Sequence, residues 1–267
     1  MKVRDSGMPD EALWDSFFDV ELILQRLGID ASLVDVAELG CGYGTFTLPV
    51  AERISGTPHT YDIDEAMVAR TKARVARAGL TDVVVECRDV VTQGFGLPPA
   101  SQHGCLLFNI LHHDDPVTLL RTAARCLQPG GRLFAIHWRH DPATPRGPSL
   151  SIRPRPQQII AWAEESGALD LASDVLDLAP WHYGLVLARA NRPCEGRSQV
   201  PISAGSAPTQ ATLTVDHLER SSSRTKRYSP AAQGMWRLWQ RTGWTTGACV
   251  SASPSWPRHS RSPPWRS

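Results

Sequence analysis

Seven residues, Glu38-Leu39-Gly40-Cys41-Gly42-Tyr43-Gly44, follow an apolar run and precede a helical pattern. Three glycines at alternate positions let backbone approach a bound ligand and adopt dihedrals that side chains disfavour. Such a turn suits a nucleoside cofactor, and its spacing narrows the choice. A dinucleotide fingerprint wants GxGxxG, but here the third glycine comes one position early and an acid stands two residues before the first. Asp62 closes the next apolar run, in Tyr61-Asp62-Ile63-Asp64, roughly twenty residues after the glycines, where a carboxylate accepts from both hydroxyls of a ribose. Asp64 reads instead as the cap of the helix that follows.

Histidines supply the remaining candidates. His113 is a candidate general base, because an imidazole is the side chain suited to proton transfer near neutral pH. His137 and His182 read either as pocket residues or as satisfied core histidines. The run His112-His113-Asp114-Asp115 invites a metal reading, but consecutive side chains diverge and Asp115-Pro116 is a helix cap with proline at the first helical position, so no metal is expected. The six cysteines are scattered without a CxxC pair and read as free thiols.

The elements that must position these groups alternate regularly. An amphipathic helix opens at Pro9-Asp10, places Leu13, Phe17, Val20, Leu24 and Leu27 on one face, and stops at Gly28. Strands are then predicted over Val34 to Leu39, His59 to Asp62, Val83 to Cys87, Cys105 to Asn109 and Arg132 to Trp138, with helices between them. The turn Pro129-Gly130-Gly131 leads into the last of these. A proline-rich loop follows from about His140 to Pro154, then a helix from Pro156 to Ser166, and then two runs, Asp174 to Leu178 and Tyr183 to Ala188, that pair as an antiparallel hairpin. The expected fold is α/β: a doubly wound, mainly parallel sheet with helices on both faces and a C-terminal antiparallel hairpin.

With the glycine turn and Asp62 joined by Arg88-Asp89-Val90 after the third strand and Asn109-Ile110-Leu111-His112-His113 after the fourth, most of residues 10 to 190 resemble the class I methyltransferases that use S-adenosylmethionine. The resemblance is to the small-molecule branch often called type 11 or type 25, whose sheet is Rossmann-like. It implies that Gly40, Cys41 and Gly42 wrap the methionine end of the cofactor and that Glu38 holds its amino group. It also implies that Asp62 meets the ribose with Ile63 beside it among the cofactor-binding residues, that Asp89 and Val90 meet the adenine, and that Asn109 borders both methionine and acceptor. Trp14, Phe17 and Phe18 on the opening helix would then either close over the acceptor or pack as an ordinary amphipathic face, and His137 would line the pocket. Enzymes that methylate DNA bases usually carry [DN]PP[YF] after the fourth strand; this chain has Asn109 without the prolines or the aromatic, so a nucleic-acid substrate is disfavoured. A small-molecule acceptor is expected.

Composition sets the outer limits. The chain has 267 residues, enough for one sizeable core. Neither a signal-peptide pattern nor a run of about 18 apolar residues is present, so a cytoplasmic protein without a membrane span is expected. Residues 1 to 190 carry 17 Lys and Arg against 24 Asp and Glu, whereas 191 to 267 carry 11 against 3. Three parts follow: a helical cap over 1–30, the cofactor domain over 31–190, and a basic Ser-, Arg-, Pro- and Trp-rich tail over 191–267, read as disordered. Translation in a shifted frame explains both the abrupt boundary and the composition of that tail; a basic aromatic segment for nucleic acid is the alternative. Two other readings of the whole chain are a nicotinamide-dependent oxidoreductase, which lacks an evident Tyr/Lys pair, and a non-catalytic cofactor-binding or interaction module.

Overall fold

The computed structural model describes residues 9–191, which all fall within one compact unit, Met1–Ile202. The tail read from the sequence lies outside the described residues after 191. Five strands run parallel: β1 (Val36–Leu39), β2 (Pro58–Asp62), β3 (Val84–Cys87), β4 (Gln102–Phe108) and β5 (Leu127–Trp138). Three short C-terminal strands, β6 (Leu169–Leu171), β7 (Leu176–Leu178) and β8 (His182–Arg189), complete the sheet, with β8 antiparallel to β5, β6 and β7. The strand order β3-β2-β1-β4-β5-β8-β6 reverses direction between β1 and β4, and ligands of such sheets bind outside the strand ends at that switch point.

Alternation along the central strands divides the core into two layers. Cys105 and Leu107 of β4, Leu133 and Ala135 of β5, and Leu185 and Leu187 of β8 pack beneath α6 (Pro116–Cys126) and α7 (Pro156–Ser166). Leu106, Phe108, Phe134, Ile136 and Trp138 face the other layer, formed by α1 (Glu11–Asp15), α2 (Val20–Leu27) and α3 (Thr47–Arg53). Helix α4 (Glu65–Ala78) covers β2 and β3 and begins at Asp64, whose side chain accepts from the Ala66 amide as expected of a cap. The one-turn helix α5 (Val90–Gln93) had no signal in the sequence.

Two readings are corrected. The single opening helix is two helices, because the Asp19 carboxylate accepts from the Leu22 amide and starts a second helix after the Ser16 cap of the first. Leu13 consequently lies on the short α1 and is 42% exposed, whereas Phe17, Leu24 and Leu27 are buried. The Pro129-Gly130-Gly131 turn is absorbed into β5, which begins at Leu127: Gln102 pairs with Leu127 and Gly104 with Arg132, so the intervening residues bulge out of register. The expected hairpin is present as β7 and β8, with Leu178 opposite His182.

Trp138 sits at the centre of the second layer, within 5.4 Å of Phe17 and 4.3 Å of the His182 ring, centroid to centroid. His182 also stacks on Phe18 at 4.5 Å, and neither of its ring nitrogens has a hydrogen-bond partner among the described residues. Burial away from water, reinforced by Arg139 and Arg153, lowers its pKa to about 3. A depressed imidazole pKa means that the folded state takes up fewer protons than the unfolded chain, so this contribution to stability is intact above about pH 6.5 and is lost as pH falls from there towards pH 3. His182→Phe keeps the stacking and removes the titration. Between pH 7 and pH 5 the wild type should lose about 2 kcal/mol more stability than this variant. Thermal melts of both proteins across that interval measure the difference, and parallel profiles would sink the assignment.

Candidate active site

The ends of β1, β2 and β4 converge at the switch point. Tyr61 at the end of β2 accepts through its backbone carbonyl from the amides of both Gly40 (2.7 Å) and Cys41 (3.1 Å), which ties the glycine turn to β2. Gly40, Gly42 and Gly44 all adopt positive φ, and a Cβ on Gly40 would stand 2.6 Å from Ile110 Cδ1. The alternate glycines of the sequence are therefore favoured by backbone conformation, and a side chain at Gly40 would in addition make the end of Ile110 shift.

Three side chains are aimed by this geometry. Asp62 Oδ2 accepts from the Gly42 amide at 2.9 Å and Oδ1 from the Asp64 amide at 3.0 Å. Burial raises its pKa from the usual carboxylate range against these bonds. Glu38 is only 3% exposed, and its Oε2 accepts from Thr47 Oγ1 at 2.6 Å and from Thr60 Oγ1 at 2.7 Å. Burial is the largest influence on Glu38 and raises its pKa, opposed by the two hydroxyls. Asn109, just past β4, holds a left-handed backbone at φ 58°, and its buried Oδ1 accepts no hydrogen bond among the described residues. A strained residue carrying an orphaned acceptor is costly unless a donor arrives from outside.

The residues expected from the sequence distribute unevenly. Glu38, Gly40, Cys41, Gly42, Asp62 and Asn109 come together. Cys41 is buried and its thiol is pushed up to about 12, chiefly by burial, so it packs without acting as a nucleophile. Ile63 is 38% exposed beside Asp62. Asp89 caps α5, its Oδ1 accepting from the amides of Val91 and Thr92, and Val90 is buried.

Beyond Asn109 the chain enters a cavity of about 600 Å³, within the range of small-ligand pockets. Leu111, His112 and His113 line one side, and His140, Arg153, Arg155 and Trp162 line the rest. His113 is thus at the cavity, but its Nδ1 accepts from the Asp115 amide at 3.0 Å. A neutral imidazole bound this way carries its proton on Nε2, making that nitrogen a donor and leaving no free basic nitrogen. A base role for His113 would require this hydrogen bond to break. His137, Trp14 and Phe18 do not line the cavity. His137 is fully buried behind His112, with the two rings' nitrogens 3.4 Å apart, and burial holds its pKa well below the usual value. Trp14 and Phe18 pack with Trp138 in the opposite layer.

The arginines between the fifth strand and the next helix read in sequence as a lid that attracts an anionic group, and Arg153 and Arg155 do line the cavity. Sequence reasoning missed the threonine supports of Glu38 and the Trp162 part of the wall. Thr60 holds Glu38 because β1 and β2 pair Glu38 with Thr60, a register that no local pattern states. Trp162 lies on α7 at ordinary helical spacing, where nothing distinguishes it from core. Among the described residues no cluster of potential metal ligands occurs, and no helix is long and apolar enough to cross a membrane.

Comparison with known proteins follows this geometry. Residues 36–131 match a family described as a methyltransferase domain. A nocamycin O-methyltransferase of Saccharothrix syringae is 36% identical over 105 residues, 38% of this chain and 36% of that protein. An aklanonic acid methyltransferase of Streptomyces sp. (strain C5) is 28% identical over 127 residues, 40% of this chain and 56% of that protein. The chain thus spans little more than a third to just over half of the length of these relatives. An S-adenosylmethionine-dependent methyltransferase from Aquifex aeolicus shares the fold with a TM-score of 0.60 at 20% identity, covering 68% of this chain and 94% of the other. The glycine turn, Asp62 and Asn109 all fall within the segment 36–131 that is similar to the methyltransferase-domain family, at the strand ends of one sheet.

Proposed function

We propose that the protein transfers a methyl group from S-adenosylmethionine to a small molecule held in the cavity beside His113. The observation that carries this reading is the convergence at one switch point of a left-handed glycine turn, a carboxylate pinned to it, and an orphaned buried carbonyl on Asn109. These groups fit the cofactor's chemistry. Glu38 and Asn109 Oδ1 would offer acceptors to a cationic amino group, Asp62 would offer its carboxylate to ribose hydroxyls, and Asp89 with the Val90 backbone would hold the adenine. The sulfonium supplies an already activated methyl group, so the protein's part is to align the acceptor and exclude water. The names of the relatives support a small-molecule acceptor: one is an O-methyltransferase and another acts on aklanonic acid.

Ligand-dependent thermal shift tests the cofactor directly, because a ligand selective for the native state raises the midpoint. S-adenosylhomocysteine should stabilise the protein and NAD should not. Asp62→Ala should weaken S-adenosylhomocysteine binding by about ten- to a hundredfold, since hydrogen bonds to a charged group are worth roughly 1.5–3 kcal/mol. Stabilisation by NAD alone would replace the methyl-transfer reading with the oxidoreductase.

A further inference from the structure

The four arginines between β5 and α7 look equivalent in sequence and are not equivalent in space. Arg139 pairs with Asp177 on β7, away from the cavity lining. Arg153 lines the cavity yet is only 7% exposed. Its guanidinium donates to the backbone carbonyls of Pro148 (2.7 and 3.0 Å), Arg139 (2.9 Å), Arg146 (3.1 Å) and Asp141 (3.3 Å), and to the Thr144 hydroxyl. Every one of these acceptors is neutral, and no carboxylate among the described residues forms an ion pair with Arg153. Buried charges are ordinarily paired; here the Asp141 carboxylate acts on the guanidinium without forming an ion pair, so the charge is held chiefly by carbonyl and hydroxyl dipoles and is only partly offset at the cavity wall.

Other lining groups add to that potential. Arg155 is exposed, lines the cavity and has no carboxylate partner among the described residues. It stands at the start of α7, an eleven-residue helix with no acid in its first turn, where the neutral Gln158 Oε1 caps the Arg155 amide but no carboxylate offsets the positive helix end. His113 presents an Nε2–H donor. Asp114 is the single carboxylate of the lining, against two guanidinium groups. The apolar part of the wall is Leu111, Leu150, Ile152 and the indole of Trp162.

Resting on the methyl-transfer reading, we infer that the cavity between the β4 end and the α7 start takes an acceptor that presents an oxyanion on a planar apolar body, with Arg155 and His113 orienting the charged oxygen. An oxyanion needs no base. Its oxygen forms the new O–C bond while the sulfonium C–S bond breaks and its electron pair stays on sulfur, so the positive and negative charges cancel and no proton moves. This accounts for a site lined by donors in which His113 is held in the donor tautomer. Arg153 acts as a positioning residue, tying the 139–148 backbone into the cavity wall.

Calorimetry separates this inference from the reading beneath it. The wild-type protein is first titrated with S-adenosylhomocysteine; failure to bind would overturn the cofactor reading. The saturated protein is then titrated with 2-naphthoate, 2-naphthamide and 2-naphthol, which share one planar body and differ in charge at pH 7. Naphthoate should bind at least about tenfold more tightly than naphthamide, with neutral naphthol no better than the amide. Arg155→Ala should bring naphthoate to within about twofold of naphthamide while leaving S-adenosylhomocysteine affinity unchanged, and Arg155→Lys should restore part of the preference. Equal binding of acid and amide, tighter binding of naphthol, or no binding of naphthoate with the cofactor product in place would each overturn the oxyanion assignment.

Discussion

Replacing Gly40 by valine should reduce S-adenosylhomocysteine affinity by more than about a hundredfold, equivalent to roughly 2.7 kcal/mol. Two effects combine at this residue. Its φ of 82° lies where a β-branched residue is strained by about 1–3 kcal/mol, so the turn would leave its left-handed conformation and carry the Gly42 amide away from Asp62. A new Cβ would also press on Ile110 Cδ1, and Ile110 adjoins both Asn109 and the cavity. Gly79→Ala is the informative control: that glycine is also left-handed, at the end of α4, but nothing lies within 4 Å of where its Cβ would stand. It should cost about 1 kcal/mol of stability and leave affinity unchanged. If calorimetry gave the Gly40 variant near-normal affinity, the turn would not be the cofactor cradle.

Glu38→Gln should separate folding from binding. The Thr47 and Thr60 hydroxyls both donate to one carboxylate oxygen, and an amide oxygen in the same place can accept both, so the variant should melt at or above the wild-type temperature once a buried charge is removed. The second oxygen becomes an NH₂ group. It would face a cationic amino group as a donor, and affinity for S-adenosylhomocysteine should fall about ten- to a hundredfold. Glu38→Ala should do something different. It strands two completely buried threonine hydroxyls and leaves a void, costing about 2–4 kcal/mol of stability as well. A Glu38→Gln protein that binds normally would make Glu38 a purely structural residue.

Much of the glycine-turn end of the sheet was legible because it is built from short-range signals. Alternate glycines, an acid ending each of the first two strands and Asp-Pro at the α6 start are local requirements of backbone and caps, and each appears where its pattern placed it. The breaks in legibility have equally local causes. Asp19 competes for the backbone inside an otherwise continuous apolar stripe, and periodicity does not register a cap in mid-pattern. The bulge at Gly130 keeps a strand running through residues that read as a turn, because pairing with β4 overrides local turn preference.

The cavity beside His113 belongs to tertiary structure. His113, His137 and His182 are one residue type with similar local surroundings, yet folding makes one a cavity donor, one a buried neighbour of His112 and one an aromatic-layer ring. The same holds for the arginines after β5, of which packing buries Arg153, pairs Arg139 and leaves Arg155 at the cavity. Glycine placement and strand-end acids, by contrast, follow from what each position's own backbone must do, so the sequence by itself determined the α/β class and the cofactor turn. Which titratable side chains share a cavity depends on strand register and on which face a residue meets, and contacts between residues distant in the chain decide both.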